Sequence, residues 1–206
     1  MAHDLRPFRD YDEKDVINLY AYNASSSTLE STPINKGLLV KINTGWSTSN
    51  NDLAMLEGAG ANTVANTVAQ RYKVNANVTA AGAGNACIGM TLYDLREKDE
   101  NGELLKFNPR KAAEMQAVLA GQVVPIVTKG IFLVETDTDI DGGAEGGVML
   151  FADAAGEFTS TGTKGTHYSV GQTLGPSVST TNAAGTACYH TLIQLDCHNG
   201  SSATNI

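Results

Sequence analysis

The chain has 206 residues, a formal net charge of −8, 42% hydrophobic residues and 17% charged residues. This composition excludes wholesale disorder and is long enough for one domain with a real core. The acidic balance argues against nucleic-acid binding, which needs clustered Lys and Arg. No stretch reaches the ~20 consecutive apolar residues of a membrane-spanning helix.

The N-terminus, MAHDLRPFRDYDEKDV, is heavily charged and lacks the apolar h-region of a signal peptide. Together with three cysteines (Cys87, Cys188 and Cys197), too few for a disulfide framework, this fits synthesis in a cytoplasm with reduced, packed thiols. Eight of the residues from Asp4 to Asp15 are charged. VINLYAYN then turns apolar and ASSSTLESTP polar again. The pattern predicts an extended N-terminal arm over 1–30, a β-rich body over 31–200 and a loose tail over 201–206. The other reading of the first segment is a frayed terminus with one ordinary strand. If it is an arm, Val16, Leu19, Tyr20 and Tyr22 are its candidate anchors on a partner. Trp46, the only Trp, is a further candidate interface residue.

Thr, Val, Gly, Ala and Asn dominate the body and suit short strands joined by tight turns. Leu38 to Ile42 is a predicted strand, and RYKVNANVTA alternates with period two. AGAGNA is a Gly-rich turn without the residues of a phosphate loop. REKDENGELL predicts an exposed hairpin turning at Asn101-Gly102, with REKDE as its solvated face. GIFLVE and GGVMLFA look like buried strands. Pro125 cannot donate to a ladder, so its strand is expected at an edge or bent. From Gly165 to Leu195 there is no Asp, Glu, Lys or Arg, which suggests burial, including burial against other subunits. The fold class is therefore mainly β: a sandwich or barrel-like body.

One α-helix stands out, at about 109–120. Asn108 can cap the first turn, and Pro109 at the first helical position loses nothing by lacking an N–H. Ala112, Met115, Val118 and Leu119 form a stripe at helical spacing, Arg110 and Glu114 make an outer i, i+4 pair, and Gly121 supplies the C-cap. Such a helix can plug a barrel end or cover a sheet edge.

Two clusters invite metal chemistry. Asp137, Asp139 and Asp141, followed by Gly142, match the first half of a calcium loop, but Val148 stands where the bidentate Glu belongs. Cys188, His190, Cys197 and His198 do not follow a usual zinc spacing. On a strand Cys188 and His190 share a face, whereas Cys197 and His198 point apart. No nucleophile-elbow motif accompanies the Ser, His and Asp residues, and no enzyme activity or cofactor is expected.

GNACIGMTLYDLREKDENGELLKFNPRKAAEMQAVLAGQVVPIVTKGIF (84–132) resembles the capsid decoration, or cement, proteins of tailed bacteriophages. LRPFRDYDEKDVINLYAYN is similar to the start of such phage structural proteins. The resemblance implies a β-rich homo-oligomer, a trimer or dimer, on the outer capsid surface of the virion. Its partner would be the major capsid protein, whose subunits it bridges. The alternative class is a receptor- or glycan-binding module of a fibre or spike.

Overall fold

The computed structural model describes residues 4–21, 33–44, 77–119, 122–162, 166–182 and 185–197. It is mainly β, with a large antiparallel sheet laid against a small barrel. The large sheet contains β1 (Asp4–Asp10), β9 (Lys129–Thr136), β14 (Ala187–Asp196), β12 (Gly171–Thr173), β10 (Met149–Ala152) and β11 (Phe158–Thr159) in that order. A seventh strand, β13 (Val178–Thr181), pairs with the first half of β14, ahead of β12 on the second half. The barrel closes through β2 (Val16–Ala21), β4 (Asn77–Ala80), β3 (Leu39–Thr44), β5 (Gly89–Thr91) and β8 (Val123–Val127). A two-stranded parallel ladder joins β6 (Asp94–Leu95) to β7 (Ala117–Val118).

Period-two alternation decides which side chains meet. On β9, Phe132 and Val134 turn into the main core. On β14, Ile193 and Leu195 do the same. They meet Leu39, Met90 and Val127, which project from the outside of the barrel. The next residues along those barrel strands, Val40 and Ile126, point the other way and fill the barrel with Val78, Val124 and Leu95. β3 and β8 thus bury side chains on both faces, which is why residues 38–40 and Val123–Val127 are unbroken apolar runs.

The N-terminal segment differs from the expected arm over residues 4–21. β1 is the edge strand of the large sheet, and β2 pairs with β8 at five positions from Val16↔Val127 to Tyr20↔Val123. Of VINLYA, Ile17 and Leu19 pack against the barrel core and Val16 against the main core, and the charged run before them includes the solvated edge of a sheet. Residues 22–30 lie outside the described residues.

Of the two expectations for Pro125 the edge is not met, since β8 lies between β2 and β5. The Pro125 carbonyl accepts from the Leu92 N–H at 3.2 Å. The missing N–H therefore lies on the β5 side, where the ladder of β5 stops at Ile126.

The helix α1 (Pro109–Glu114) is half the expected length. Its start is as read: the Lys111 N–H donates to Asn108 Oδ1 at 3.3 Å, and Arg110 pairs with Glu114 at 3.1 Å. Gln116 then takes a left-handed φ of 54°, and the chain leaves as β7. The supposed helical stripe is divided between two places. Ala112 and Leu119 pack with Leu105, while Val118 enters the barrel core. Strand pairing with β6 outweighs the helical periodicity. Gly121 lies outside the described residues, and among them no helix is long and apolar enough to cross a membrane.

The Asn101-Gly102 turn forms as read: Asp99 N–H donates to the Glu103 carbonyl at 3.0 Å, and Gly102 has φ +84°. Asp99, however, belongs to no solvated face. Its side chain has no exposed surface and pairs with Lys111. Its Oδ1 accepts from the N–H groups of Asn101 and Glu103, each at 2.8 Å.

Candidate functional site: a polar cluster on the outer face of the large sheet

β9 and β14 are in register over eight residue pairs, one of which is Glu135 opposite His190. Phe132 and Val134 face the core, so Glu135 emerges on the other face of the sheet, beside His190 and Cys188 two residues along β14. Arg6 reaches the same place from β1, where the register shifts between Leu5 and Arg9. That irregularity surrounds Pro7, a device that suits an edge strand.

The four side chains form one cluster. The Arg6 guanidinium is ion-paired with Glu135. Arg6 Nε donates to His190 Nε2 at 3.1 Å, and His190 Nε2 lies 3.3 Å from Glu135 Oε2. Arginine has only donors, so Nε2 must present its lone pair and the neutral ring carries its proton on Nδ1. Burial, reinforced by the Arg6 charge, lowers the His190 pKa below the usual histidine value. Glu135 is largely buried, with a side-chain exposure of 10%, and Cys188 is fully buried. One ligand atom each from Glu135, Cys188 and His190 lies within 4.8 Å of the other two.

The sequence spacing paired Cys188 with His190 on one face, as the structure has them, but missed Glu135 and Arg6. The one available signal was an acidic residue at the end of an otherwise apolar run, GIFLVE. Cys197 is elsewhere, partly buried against the main core together with Cys87, and His198 lies outside the described residues. Burial pushes the Cys87 thiol up to about 12 and raises Cys197 as well.

The aspartates of the calcium pattern do a different job. Asp139 Oδ1 accepts from the N–H groups of Asp141 and Gly142, each at 3.1 Å. The two Asp141 oxygens accept from Gly143 N–H at 2.9 Å and Ser177 N–H at 2.6 Å. A hydrogen bond with the Asp141 side chain, then those backbone N–H groups, holds the Asp139 carboxyl below its usual range. These carboxylates shape their own turn and tie it to the segment before β13. Asp137 is exposed. Among the described residues, Asp137 does not join Asp139 and Asp141 in one group of converging ligand atoms, whereas Glu135, Cys188 and His190 form such a group.

Of the predicted anchors, Val16 packs against the main core and Leu19 against the barrel core. Tyr20 occupies a ladder position in β2. Tyr22 and Trp46 lie outside the described residues. Val16 also lines an open groove of about 430 Å³ with Arg9, Tyr11, Glu13, Tyr93 and neighbouring residues. The Tyr11 ring stacks on Phe132 with centroids 5.8 Å apart, and both tyrosines keep an exposed side.

A second surface is the β13 edge. Among the described residues β13 pairs with β14 alone. It belongs to the uncharged stretch 165–195, and it exposes Val178 at 59%. Leu174, just before it, is exposed at 40%.

No family model, curated protein or solved structure matches the chain.

Proposed function

We propose that the protein is a structural component of a phage virion that binds the outer surface of the assembled capsid and bridges major capsid protein subunits. The sequence resemblance supplies the partner class. The observation that supports it is the β13 edge. Exposed sheet edges in soluble proteins usually carry charge, Pro or a bulge against unwanted pairing. Here Val178, Ser179 and Thr181 form an exposed, uncharged edge in an acidic protein, and Leu174 is exposed in the segment ahead of it. It suits a partner that supplies a strand or an apolar ledge. Repeated over a symmetric shell, modest contacts of this kind yield high avidity, and a protein that binds only the assembled lattice stabilises it by mass action.

The test is co-sedimentation of the purified chain with capsids lacking it. Val178→Lys and Leu174→Lys, both at exposed positions, should keep the wild-type melting temperature and reduce capsid binding at least tenfold. No binding by the wild type, or undiminished binding by both variants, refutes the assignment. The Tyr11/Tyr93 groove favours a second reading, a glycan-binding surface module, because aromatic rings beside Arg9, Glu13 and Asn18 offer both stacking and hydrogen bonds. Glycan-array binding that Tyr93→Ala abolishes, with no capsid binding, would select it.

A further inference from the structure

We propose that Glu135, Cys188 and His190 form a binding site for a zinc-class divalent cation, and that the Arg6 guanidinium competes with the cation for the same lone pairs. The donor set is one carboxylate oxygen, one sulfur and one imidazole nitrogen, a mixture that favours zinc and its neighbours over calcium or magnesium. The three atoms lie within 4.8 Å of one another. Ligands around a tetrahedral zinc, at about 2.0–2.3 Å from the metal, stand about 3.3–3.8 Å apart. Small rotations of side chains therefore complete the shell without moving a strand. The scaffold is stiff, since β9 and β14 are adjacent inner strands of the large sheet, paired over eight positions. Three protein ligands leave the fourth position to water.

Arg6 sits where the ligand lone pairs converge. It binds Glu135, and its Nε takes the Nε2 lone pair of His190 at 3.1 Å. A cation that takes His190 Nε2 and a Glu135 oxygen must displace those contacts. Its binding also releases the Cys188 thiol proton as the sulfur–metal bond forms. The resulting shell, a divalent ion with one thiolate and one carboxylate, is neutral, and Arg6 loses its counter-charge. With 29% of its side chain exposed, the guanidinium can turn outward along its flexible stem.

The experiment is a Co²⁺ titration of the full-length chain, read by thiolate-to-cobalt charge-transfer absorption. The variants are Arg6→Met, Cys188→Ser and Glu135→Gln, each checked for its fold by circular dichroism. The wild type should develop the band, and Cys188→Ser should lose it while staying folded. Removing the competing positive charge in Arg6→Met should tighten binding roughly tenfold or more. Glu135→Gln should weaken it by a similar factor. No band in either the wild type or Arg6→Met overturns the site. A band that survives Cys188→Ser overturns it too, by placing cobalt on another thiol. Equal affinity of the wild type and Arg6→Met overturns the competition.

Discussion

Gly89 is the most sensitive point of the barrel to a single methyl group. It lies in β5, opposite Val40 of β3, while its neighbour Met90 pairs with Val127 of β8. A Cβ at position 89 would stand 2.3 Å from the Val127 carbonyl oxygen and 2.6 Å from Ile126 Cγ2. Ordinary contact needs about 1 Å more, so β5 and β8 must separate or Ile126, fully buried in the barrel core, must move. Overpacking of this kind costs about 1–3 kcal/mol. Each weakened ladder bond adds about 1 kcal/mol. Replacing a strand glycine by alanine returns roughly 0.5–1 kcal/mol of backbone entropy. With one ladder bond weakened, the net loss for Gly89→Ala is about 1–3.5 kcal/mol. At about 2–4 °C per kcal/mol for a chain of this size, the melting temperature should fall roughly 2–14 °C. Urea and thermal unfolding followed by far-ultraviolet circular dichroism measure it. Gly175→Ala is the control, because a Cβ there meets nothing within 4 Å, and it should change stability by no more than about 0.5 kcal/mol. A Gly89→Ala protein as stable as the wild type would refute the close approach of β5 and β8.

Removing residues 1–21 deletes β1 and β2, so the truncated chain should lose cooperative unfolding and bind a dye for exposed apolar surface. A truncated chain that unfolds cooperatively at the wild-type temperature would return the segment to the role of an arm. The Asp99–Lys111 pair predicts an acid-side effect. The bond from Lys111, with the Glu103 and Asn101 N–H groups behind it, holds the Asp99 pKa below its unfolded value. The folded state therefore binds fewer protons than the unfolded one as pH falls. The stabilisation is present above about pH 4 and is lost as pH drops through the folded pKa. Asp99→Asn should flatten the stability–pH curve below about pH 4 and leave its shape near neutrality unchanged. An identical acid slope in wild type and variant would remove the assignment.

Much of the architecture follows from local signals. Strands such as Lys129–Thr136 and Met149–Ala152 announce themselves as short apolar runs between turn residues. The Asn108-Pro109 start of α1 and the Asn101-Gly102 turn depend on the conformational limits of those very residues. The same-face placement of Cys188 and His190 needs only the two-residue period of a strand. All of these are determined by side chains a few positions apart, whatever lies around them.

The rest depends on which strands become neighbours. VINLYA has the same composition whether it wraps a partner or closes a barrel, and pairing with β4 and β8 makes it the latter. Met115 to Leu119 has helical periodicity, yet β6 draws Ala117 and Val118 into a ladder. Asp99 looks like part of a solvated charge run until Lys111, twelve residues on, folds back over it. The cluster on the large sheet is the clearest case. Arg6 and His190 are separated by 184 positions. Only the order β1-β9-β14 brings them to Glu135, because register between antiparallel strands is set by the whole sheet and its core and not by any one strand's sequence.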